Sequence, residues 1–289
     1  MNRFLRFRKI SVNSFRLTSL ILFLFVSQTF AQEHLVIVGG GTRPEAATSK
    51  FVEWAGGERR ARILVIPWAT EEPQESFEYL KKDFEVFHPS AIELAPIAPL
   101  TAEKKAAFLN QLKTATGVFF TGGDQVKIMK VLKDETLIDA LKKRYADGAV
   151  FGGTSAGTAV MSEEMITGEG DFTVIDGSRV ETARGLGLLP SDVIVDQHFI
   201  KRQRQNRLFG LILKSPEKFG VGIDEGAALL VTNNRYAEVV GASQVMIVSS
   251  PKRGVLNVFL ASPGAEIDLK KRALHKIKKR LAQNAGSGR

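Results

Sequence analysis

The feature that most constrains the fold of this chain is a series of short, nearly continuous apolar runs rich in β-branched residues. The runs are HLVIVGGG, ARILVIPWAT, FEVFHP, GVFFTGG, AVFGGT and DVIVDQHF, and segments with helical patterning separate them. Such strands are typical of a parallel sheet that is buried on both faces between layers of helices. The pattern therefore predicts an α/β fold in three layers, α/β/α, with a mainly parallel central sheet.

The pattern changes after Phe219. The segments GVGIDEGAALLVTNNRYAEVVG, QVMIVSS and VLNVFLAS predict short antiparallel strands joined by Asn and Gly turns. The segment DLKKRALHKIKKRLAQ then spaces Leu269, Ala273, Ile277 and Leu281 four residues apart among lysines and arginines, which predicts a basic amphipathic helix. Because the chain has no internal repeat and no clear linker, residues 32–289 are expected to form a single domain.

The N-terminal segment has the features of an export signal. Five basic residues and no acidic residue lie in residues 1–31, where the apolar run LTSLILFLFV is followed by small residues before Ala31. This pattern predicts a signal peptide that is cleaved after Ala31, and a periplasmic or extracellular location in a bacterium. An uncleaved anchor is the alternative, although the apolar run is short for a membrane span. No integral membrane span is expected in the mature chain.

Composition excludes several classes of function. An exported chain without cysteine has no disulfides and no thiol chemistry, so burial must hold its core together. The formal net charge is +9, but removal of the signal leaves 35 basic against 31 acidic residues, which weakens any case for nucleic-acid binding. No spacing of histidines and carboxylates suggests a metal site, and no cofactor is expected.

Three glycines, Gly39 to Gly41, follow the first predicted strand and raise the question of a dinucleotide site. That fingerprint needs a further glycine where Pro44 stands, so the dinucleotide interpretation is rejected. The loop is expected to be a tight strand-to-helix turn. Its backbone would form a wall near the carboxyl ends of the strands, where open α/β sheets place their ligands.

The segment GTSAG follows the buried run VFGG and precedes the helix-like run AGTAVM. A G-x-S-x-G sequence at a strand-to-helix junction is typical of a nucleophile elbow, in which a strained turn presents the serine at the helix N-terminus. The flanking glycines remove Cβ atoms that would collide as the strand and the helix approach. Ser155 is therefore the candidate nucleophile, and a packing turn of small residues is the alternative.

A serine nucleophile needs a base, and position selects His198. It ends DVIVDQHF and is expected at the same sheet edge as Ser155. Glu225 follows another apolar strand and is the candidate acid that orients the imidazole, with Asp171 and Asp176 as alternatives. The remaining histidines of the exported chain are His34 and His88, expected at strand ends, and His275, expected on the C-terminal helix.

Gly122 and Gly123 end the run GVFFTGG. The N–H of Gly123, with that of Ala156 just after the serine, could form the two-donor oxyanion hole that acyl transfer requires, a device worth about 3 kcal/mol per donor. The alternative is a simple strand-to-helix turn that is capped by Asp124.

A cluster of basic residues follows His198. Most such runs form only a solvated helix face, but this one begins beside the expected catalytic edge. Guanidinium groups bind carboxylates in bidentate fashion, so the cluster favours acidic peptides over neutral esters as substrates. Asp196, two residues before His198 on the same strand face, is expected to be a wall or a substrate contact. The basic residues are Lys201, Arg202, Arg204 and Arg207.

Four motifs together resemble the serine peptidases of the peptidase E and cyanophycinase group: FFTGGDQ, GTSAG, DQHF followed by R-x-R-x-x-R, and IDEGAAL. The resemblance runs from HLVIVGGG to about VFLAS and implies a class I glutamine amidotransferase-like, flavodoxin-like fold. It places the nucleophile on Ser155, the base on His198 and, in the cyanophycinase branch, the acid on Glu225. In the dipeptidase branch the acid lies between serine and histidine, where Asp171 is the nearest candidate. The implied substrate pocket comprises Gln125, Asp196, Gln197, Arg202, Arg204 and Arg207.

The resemblance also implies a substrate. Cyanophycinases hydrolyse cyanophycin, a poly-aspartate backbone whose side-chain carboxyls carry arginine, and they release β-aspartyl-arginine dipeptides. A secreted serine exopeptidase that acts through an acyl-enzyme is therefore expected. An aspartyl dipeptidase that cleaves α-linked Asp-X, and a non-catalytic protein that binds acidic polymer, are the alternatives. Members of the group often form dimers, which leaves a homodimer open.

Overall fold

The structure, a computed structural model, describes residues 32–277. The predicted signal peptide, residues 1–31, and the last residues of the predicted C-terminal helix lie outside the described residues. Within the described range, no helix is both long enough and apolar enough to cross a membrane.

A nine-stranded sheet forms the centre of the described residues. Five neighbouring strands pair in parallel, and in four of them almost every residue is buried, as the continuous apolar runs predicted. The three-layer α/β prediction is therefore confirmed. In spatial order these strands are β1 (His34–Val38), β5 (Val150–Thr154), β4 (Gly117–Phe120), β2 (Arg62–Ile66) and β3 (Ala91–Leu94).

Antiparallel strands extend this sheet beyond β1, as the change of pattern after Phe219 predicted. Asn233 and Asn234 form the turn of the first hairpin, and both have a positive φ, which asparagine tolerates better than most residues. The added strands are β10 (Ala227–Thr232), β11 (Tyr236–Gly241), β14 (Ala265–Asp268) and β15 (Ala273–Ile277).

Four further strands form a second sheet, which is not hydrogen-bonded to the central one but shares its core, and two more strands form a separate hairpin. The sequence placed the run DVIVDQHF among the inner strands of the central sheet, and this was wrong. The run forms β8, which pairs in parallel with β9 in the second sheet. A continuous apolar run indicates burial on both faces but does not identify the sheet. The strands are β8 (Val193–Gln197), β9 (Phe219–Ile223), β12 (Val245–Lys252) and β13 (Val255–Ala261), and the hairpin is β6 (Glu164–Gly170) with β7 (Val180–Arg184).

Helices cover both faces of the central sheet. On β4, Phe119 packs among Phe51 and Phe84 on one face, whereas its neighbour Phe120 joins the cluster of Phe108 on the other face. This alternation places a core on each side of the sheet. Within residues 32–277 the helices are α1 (Glu45–Trp54), α2 (Pro73–Glu85), α3 (Ala102–Thr114), α4 (Gln125–Val131), α5 (Glu135–Ala146), α6 (Ala156–Ala159) and α7 (Gln205–Lys214). Thr101 is the N-cap of α3, since its Oγ1 accepts the Lys104 N–H at 3.3 Å.

The run FEVFHP is not a strand, contrary to the prediction. Phe84 is the last buried aromatic residue of α2, and its ring centre lies 5.3 Å from the ring centres of both Phe51 and Phe119. The chain then turns through His88, whose φ is 49°, before β3 begins at Ala91. Phe84 therefore belongs to the buried face of α2, whereas Val86, after the end of the helix at Glu85, is exposed.

The predicted C-terminal helix is also wrong where it falls within the described residues. The chain forms β14 up to Asp268, turns, and returns as β15 from Ala273. Asp268 accepts the backbone N–H groups of Lys270 and Lys271, each at 3.1 Å, and thereby fixes the turn. The edge of β14 offers unpaired backbone groups, and the pairing of β15 with them outweighs the four-residue spacing that indicated a helix.

Candidate active site

Ser155 lies in the turn between β5 and α6 with φ 52° and ψ −111°, a backbone conformation that residues with a Cβ rarely adopt. The two glycines of the G-x-S-x-G sequence permit this turn. A Cβ on Gly153 would overlap the backbone of Gly157, and a Cβ on Gly157 would overlap the backbone of Phe120. The predicted elbow geometry is therefore present, with the serine at the start of a helix.

His198 follows β8 directly and lies within hydrogen-bonding distance of the serine. Its Nε2 is 2.8 Å from Ser155 Oγ, and its backbone N–H donates to Gly39 O at 2.7 Å. The imidazole lies against Gly40, where any Cβ would overlap the ring. The glycine run after β1 thus gives the ring the space that it occupies.

Glu225 lies on the other side of the imidazole, with Oε1 2.6 Å from His198 Nδ1. A Cβ on Gly41 would lie 3.0 Å from Glu225 Oε2, so this glycine also lets the backbone approach closely. The three side chains form one hydrogen-bonded series, hydroxyl to imidazole to carboxylate. They come from three distant parts of the chain and from both sheets.

Asp224, which the sequence analysis did not single out, organises the segment that carries the histidine. Its Oδ1 accepts the backbone N–H groups of Ile200 at 3.0 Å and Lys201 at 2.8 Å, and its Oδ2 accepts from Ser243 Oγ at 3.0 Å. Since Asp224 precedes Glu225, one short loop both holds the chain after His198 and supplies the acid. The paired acids of IDEG were the available sequence signal.

The environment of His198 favours the neutral imidazole. Burial lowers the pKa of His198, the hydrogen bond to Glu225 opposes this change, and the positive charge of Arg202 lowers the pKa further. The net effect lowers the pKa of His198 below its ordinary value of 6.5. At neutral pH the ring therefore has an unprotonated nitrogen that can accept a proton from the serine.

The candidate oxyanion donors lie at the two loops beside Ser155. A Cβ on Gly122 would be 3.4 Å from Ser155 Cβ, and the next residue, Gly123, is exposed with φ 134°. Among the described residues, neither the Gly123 amide nor the Ala156 amide donates to a protein acceptor. Asp124 also caps α4 through the Val126 N–H at 2.8 Å, so the capped turn and the free amides exist together.

Two of the residues expected to bind substrate remain accessible. The Arg202 side chain is 53% exposed, and its Nε lies 3.9 Å from Glu225 Oε1. The Arg204 side chain is 18% exposed and donates from Nη1 to Gln197 O at 2.9 Å and to Gln197 Oε1 at 2.7 Å. Burial lowers the pKa of Arg204 to about 10, so the guanidinium is still charged at neutral pH. Both cations adjoin the triad.

Asp196 and Arg207 do not present free groups to a substrate, which corrects the expectation of direct contacts. Their side chains are 1% and 2% exposed and pair with each other through two hydrogen bonds, one of which joins Arg207 Nε to Asp196 Oδ2 at 2.6 Å. The Arg207 guanidinium also lies over the Phe172 ring. This buried pair supports the Arg204 side chain, whose Nη1 lies 3.9 Å from Asp196 Oδ1.

Gln125 is likewise buried and engaged. Its Nε2 donates to Ile166 O at 2.8 Å and Thr167 O at 2.7 Å, and so ties α4 to the β6 strand. The amide oxygen of Gln125 has no hydrogen bond among the described residues. Gln125 is thus placed to support the site wall, with its carbonyl oxygen available.

The alternative acids lie elsewhere. Asp171 accepts from the Thr173 side chain at 2.6 Å and from Arg179 Nη1 at 2.8 Å, and these contacts lower its pKa to about 2. Asp176 accepts the Ser178 N–H at 2.9 Å. Both acids order the loop of the β6–β7 hairpin, whereas Glu225 contacts the imidazole. Two of the remaining histidines contact other residues: His34 stacks on Trp54, and His275 Nε2 lies 3.6 Å from Glu266 Oε1.

A cationic residue that sequence reasoning missed also lies at the site. Arg43 and Ser155 line the same cavity of about 210 Å³. Arg43 Nε donates to Asp83, and the guanidinium lies 4.4 Å from the centre of the Tyr79 ring. A lone arginine after the glycine run belongs to no recognisable motif, so no sequence pattern indicated a role for Arg43.

The chain is similar to known peptidases. The family model of "Peptidase family S51" matches residues 35–239. A cyanophycinase from Trichormus variabilis is 35% identical over 193 residues, 66% of this chain and 64% of its own length, so the chain spans less than two thirds of that relative. A cyanophycinase from Geminocystis herdmanii is 31% identical over 232 residues, 79% of this chain and 85% of the relative.

More distant similarities concern the other branch and the fold. A peptidase E from Salmonella arizonae is 25% identical over 214 residues, 70% of this chain and 87% of its own length. The crystal structure of a peptidase from an acI-B1 actinobacterium superposes with a TM-score of 0.61 at 21% identity, covering 83% of this chain and 97% of that one. The structural likeness supports the fold.

Proposed function

The chain belongs to peptidase family S51, and from this premise we propose that it hydrolyses cyanophycin to β-aspartyl-arginine dipeptides. The observation that carries the proposal is the hydrogen-bonded series of Ser155, His198 and Glu225. Relatives that are 31–35% identical are cyanophycinases, which supports this substrate over other peptides.

The proposed reaction begins with acylation. His198 Nε2 takes the proton from Ser155 Oγ, the oxygen attacks the scissile carbonyl, and the amides of Gly123 and Ala156 donate to the oxyanion. The imidazolium then gives its proton to the leaving amine. Water, activated by the same imidazole, hydrolyses the acyl-enzyme and restores the serine.

Glu225 acts on the histidine in this mechanism. Its carboxylate accepts a hydrogen bond from Nδ1–H, with Nδ1 and Oε1 2.6 Å apart, and thereby leaves Nε2 unprotonated and facing Ser155. The negative charge also stabilises the imidazolium that forms during acylation. Burial lowers the pKa of His198, so the imidazole is neutral before the reaction. Glu225 then stabilises the positive charge that the imidazole gains.

Recognition of the polymer is assigned to the accessible cations. The arginyl branches of cyanophycin end in carboxylates, and Arg202 and Arg204 can bind such groups beside the scissile bond. Asp196, which is held by Arg207, lies close to the Arg204 guanidinium and helps to hold it in place. In this arrangement the two buried residues position the binding groups and do not touch substrate.

An aspartyl dipeptidase of the peptidase E type is the nearest alternative. The similarity to the Salmonella arizonae peptidase E supports it weakly. In that branch the acid lies between serine and histidine, where Asp171 is the nearest candidate, but Asp171 contacts Arg179 and Thr173. The contact between Glu225 and the imidazole favours the cyanophycinase branch.

Export of the enzyme is part of the proposal. The basic, then apolar, N-terminal segment supports cleavage after Ala31 and action in the periplasm or outside the cell, on polymer released by other cells. Expression of the full chain in a bacterium, followed by mass measurement of the processed protein, tests this. A product that begins at Gln32 in the exported fraction supports export, and an unprocessed cytoplasmic product contradicts it.

The test of the substrate is a direct comparison. The purified protein is incubated with insoluble cyanophycin and, separately, with α-linked Asp-X dipeptides, and the products are identified by mass. Release of β-aspartyl-arginine supports the proposal, and cleavage of Asp-X alone supports the dipeptidase alternative. Binding to cyanophycin without product release would instead identify a non-catalytic binder of acidic polymer.

A further inference from the structure

We propose that Arg43 forms a second carboxylate-binding site at Ser155, which receives a carboxylate of the substrate residue next to the scissile bond. The proposal rests on the proposed role of Ser155 as nucleophile and adds a specificity-determining residue to the site. Three observations carry it: a cavity at the serine, the contacts that hold the arginine, and the accessibility of its terminal nitrogens.

The cavity lies directly against the serine. Its volume is about 210 Å³, enough for the carboxylate group of a substrate residue. Arg43 enters from the loop that begins with the glycine run, and α2 contributes neighbouring polar side chains. Residues that line the cavity include Arg43, Ser76, Tyr79, Gly122, Thr154 and Ser155.

The guanidinium of Arg43 is held in place before any ligand arrives. Its side chain is 5% exposed, its Nε donates to Asp83, and it lies over the Tyr79 ring. Asp83 and Tyr79 are four residues apart on α2, so one face of that helix fixes the arginine. A fixed guanidinium loses little conformational freedom when it binds an anion.

The two terminal nitrogens of Arg43 remain available. Among the described residues, Nη1 and Nη2 make no hydrogen bond, and neither is a buried atom without a partner. They therefore retain access to solvent, and the cavity lined by Arg43 provides that access. The contact with Asp83 uses Nε, so the Nη pair is free to bind a carboxylate in bidentate fashion.

This site is separate from the cations assigned above. Arg202 and Arg204 do not line the cavity, whereas Ser155 does. Two cationic sites at one serine fit a substrate that bears carboxylates on neighbouring residues. Cyanophycin carries one arginyl carboxylate per backbone residue, so adjacent branches can occupy both sites.

The test is a set of matched peptide substrates that carry Asp or Asn at each position next to the scissile bond. The wild-type protein is expected to prefer Asp at one of these positions. Arg43→Gln should lower kcat/KM for the Asp peptide about 10- to 100-fold, the effect of losing a charge-assisted hydrogen bond, and leave the Asn peptide within about twofold. Arg43→Lys should retain part of the preference.

Arg59→Gln is the matched control, because the Arg59 side chain is 87% exposed and pairs with its neighbour Glu58. It should leave both peptides unchanged. An equal loss for Asp and Asn peptides in Arg43→Gln would identify a packing role and overturn the proposal. So would an unchanged Asp preference, or a wild-type protein that does not distinguish Asp from Asn.

A binding measurement separates this proposal from the function itself. The Ser155→Ala protein is titrated with N-acetyl-aspartate amide and N-acetyl-asparagine amide by NMR, with and without Arg43→Gln. Preferential binding of the aspartate probe that disappears in Arg43→Gln supports the site even if cyanophycin is not cleaved. Equal binding of both probes with Arg43 intact overturns it, even if cyanophycin is cleaved.

Discussion

The imidazole of His198 lies against the backbone of Gly40, where a Cβ would overlap the ring atoms Cε1, Nε2 and Nδ1. The same ring contacts Ser155 Oγ at 2.8 Å and Glu225 Oε1 at 2.6 Å. The position of the proposed base therefore depends on a residue that has no side chain. A glycine run that first suggests a nucleotide loop instead provides space for the imidazole of His198.

Gly40→Ala is expected to lower kcat at least 100-fold, because the added methyl group must displace the ring from Ser155. The measurement is the rate of dipeptide release from cyanophycin, with circular dichroism to confirm folding. Gly254→Ala is the control, since its φ of 79° is also positive but no atom lies within 4 Å of the added Cβ. It places a methyl group at a positive φ without a steric overlap and should keep its activity. Full activity in Gly40→Ala would contradict the assigned position of the base.

Glu225→Gln should reduce kcat by roughly 10³- to 10⁴-fold, because an amide can present the wrong partner to Nδ1 and cannot stabilise the imidazolium. Asp171→Asn should leave kcat unchanged, since this carboxylate contacts Arg179 and Thr173. Steady-state kinetics of the two variants identify the acid. The reverse ranking would assign the acid to Asp171.

The pH dependence of kcat/KM should show an acidic limb with its midpoint below 6.5, because burial lowers the pKa of His198 and the base must be neutral. Activity is lost as the pH falls through this pKa and is retained above it. Arg202→Gln removes a positive charge that lowers the pKa of His198, so the limb should move to higher pH. A limb that is unchanged or moves to lower pH in Arg202→Gln would contradict this account of the site's electrostatics.

Asp196→Asn should destabilise the protein by about 3–5 kcal/mol, because it leaves the buried charge of Arg207 without its partner. Urea unfolding measures the change. The exposed pair of Arg184 and Glu135 provides the control, and Arg184→Gln should cost about 0–1 kcal/mol. Equal small effects on the free energy of unfolding would contradict the role of Asp196 as the buried partner of Arg207.

Several parts of the fold follow from local sequence. The inner strands were predictable because continuous apolar runs are characteristic of strands buried on both faces, and the elbow because its glycines and serine have a fixed spacing. The capping of α3 by Thr101 was predictable for the same reason, since it depends on residues only three apart.

Other parts depend on contacts between distant residues. β8 pairs within the second sheet, and the strand that begins at Ala273 pairs at the edge of the central sheet. Both pairings depend on which backbone groups other strands leave unpaired, and local sequence does not indicate this. The burial of Arg207 against Asp196, and the cavity at Arg43, likewise arise only when separate elements meet. Sequence therefore indicated which residue types gather near the serine, but not which of them remain free to bind substrate.

The most direct test of the account is the release of β-aspartyl-arginine from cyanophycin by the wild-type protein and by Ser155→Ala, measured by mass at equal protein concentration. Ser155→Ala removes only the hydroxyl oxygen and keeps the Cβ atom, so the variant should fold normally. The account predicts release by the wild-type protein and a loss of at least 10³-fold in the folded variant. Retained turnover in Ser155→Ala would remove the serine from the mechanism.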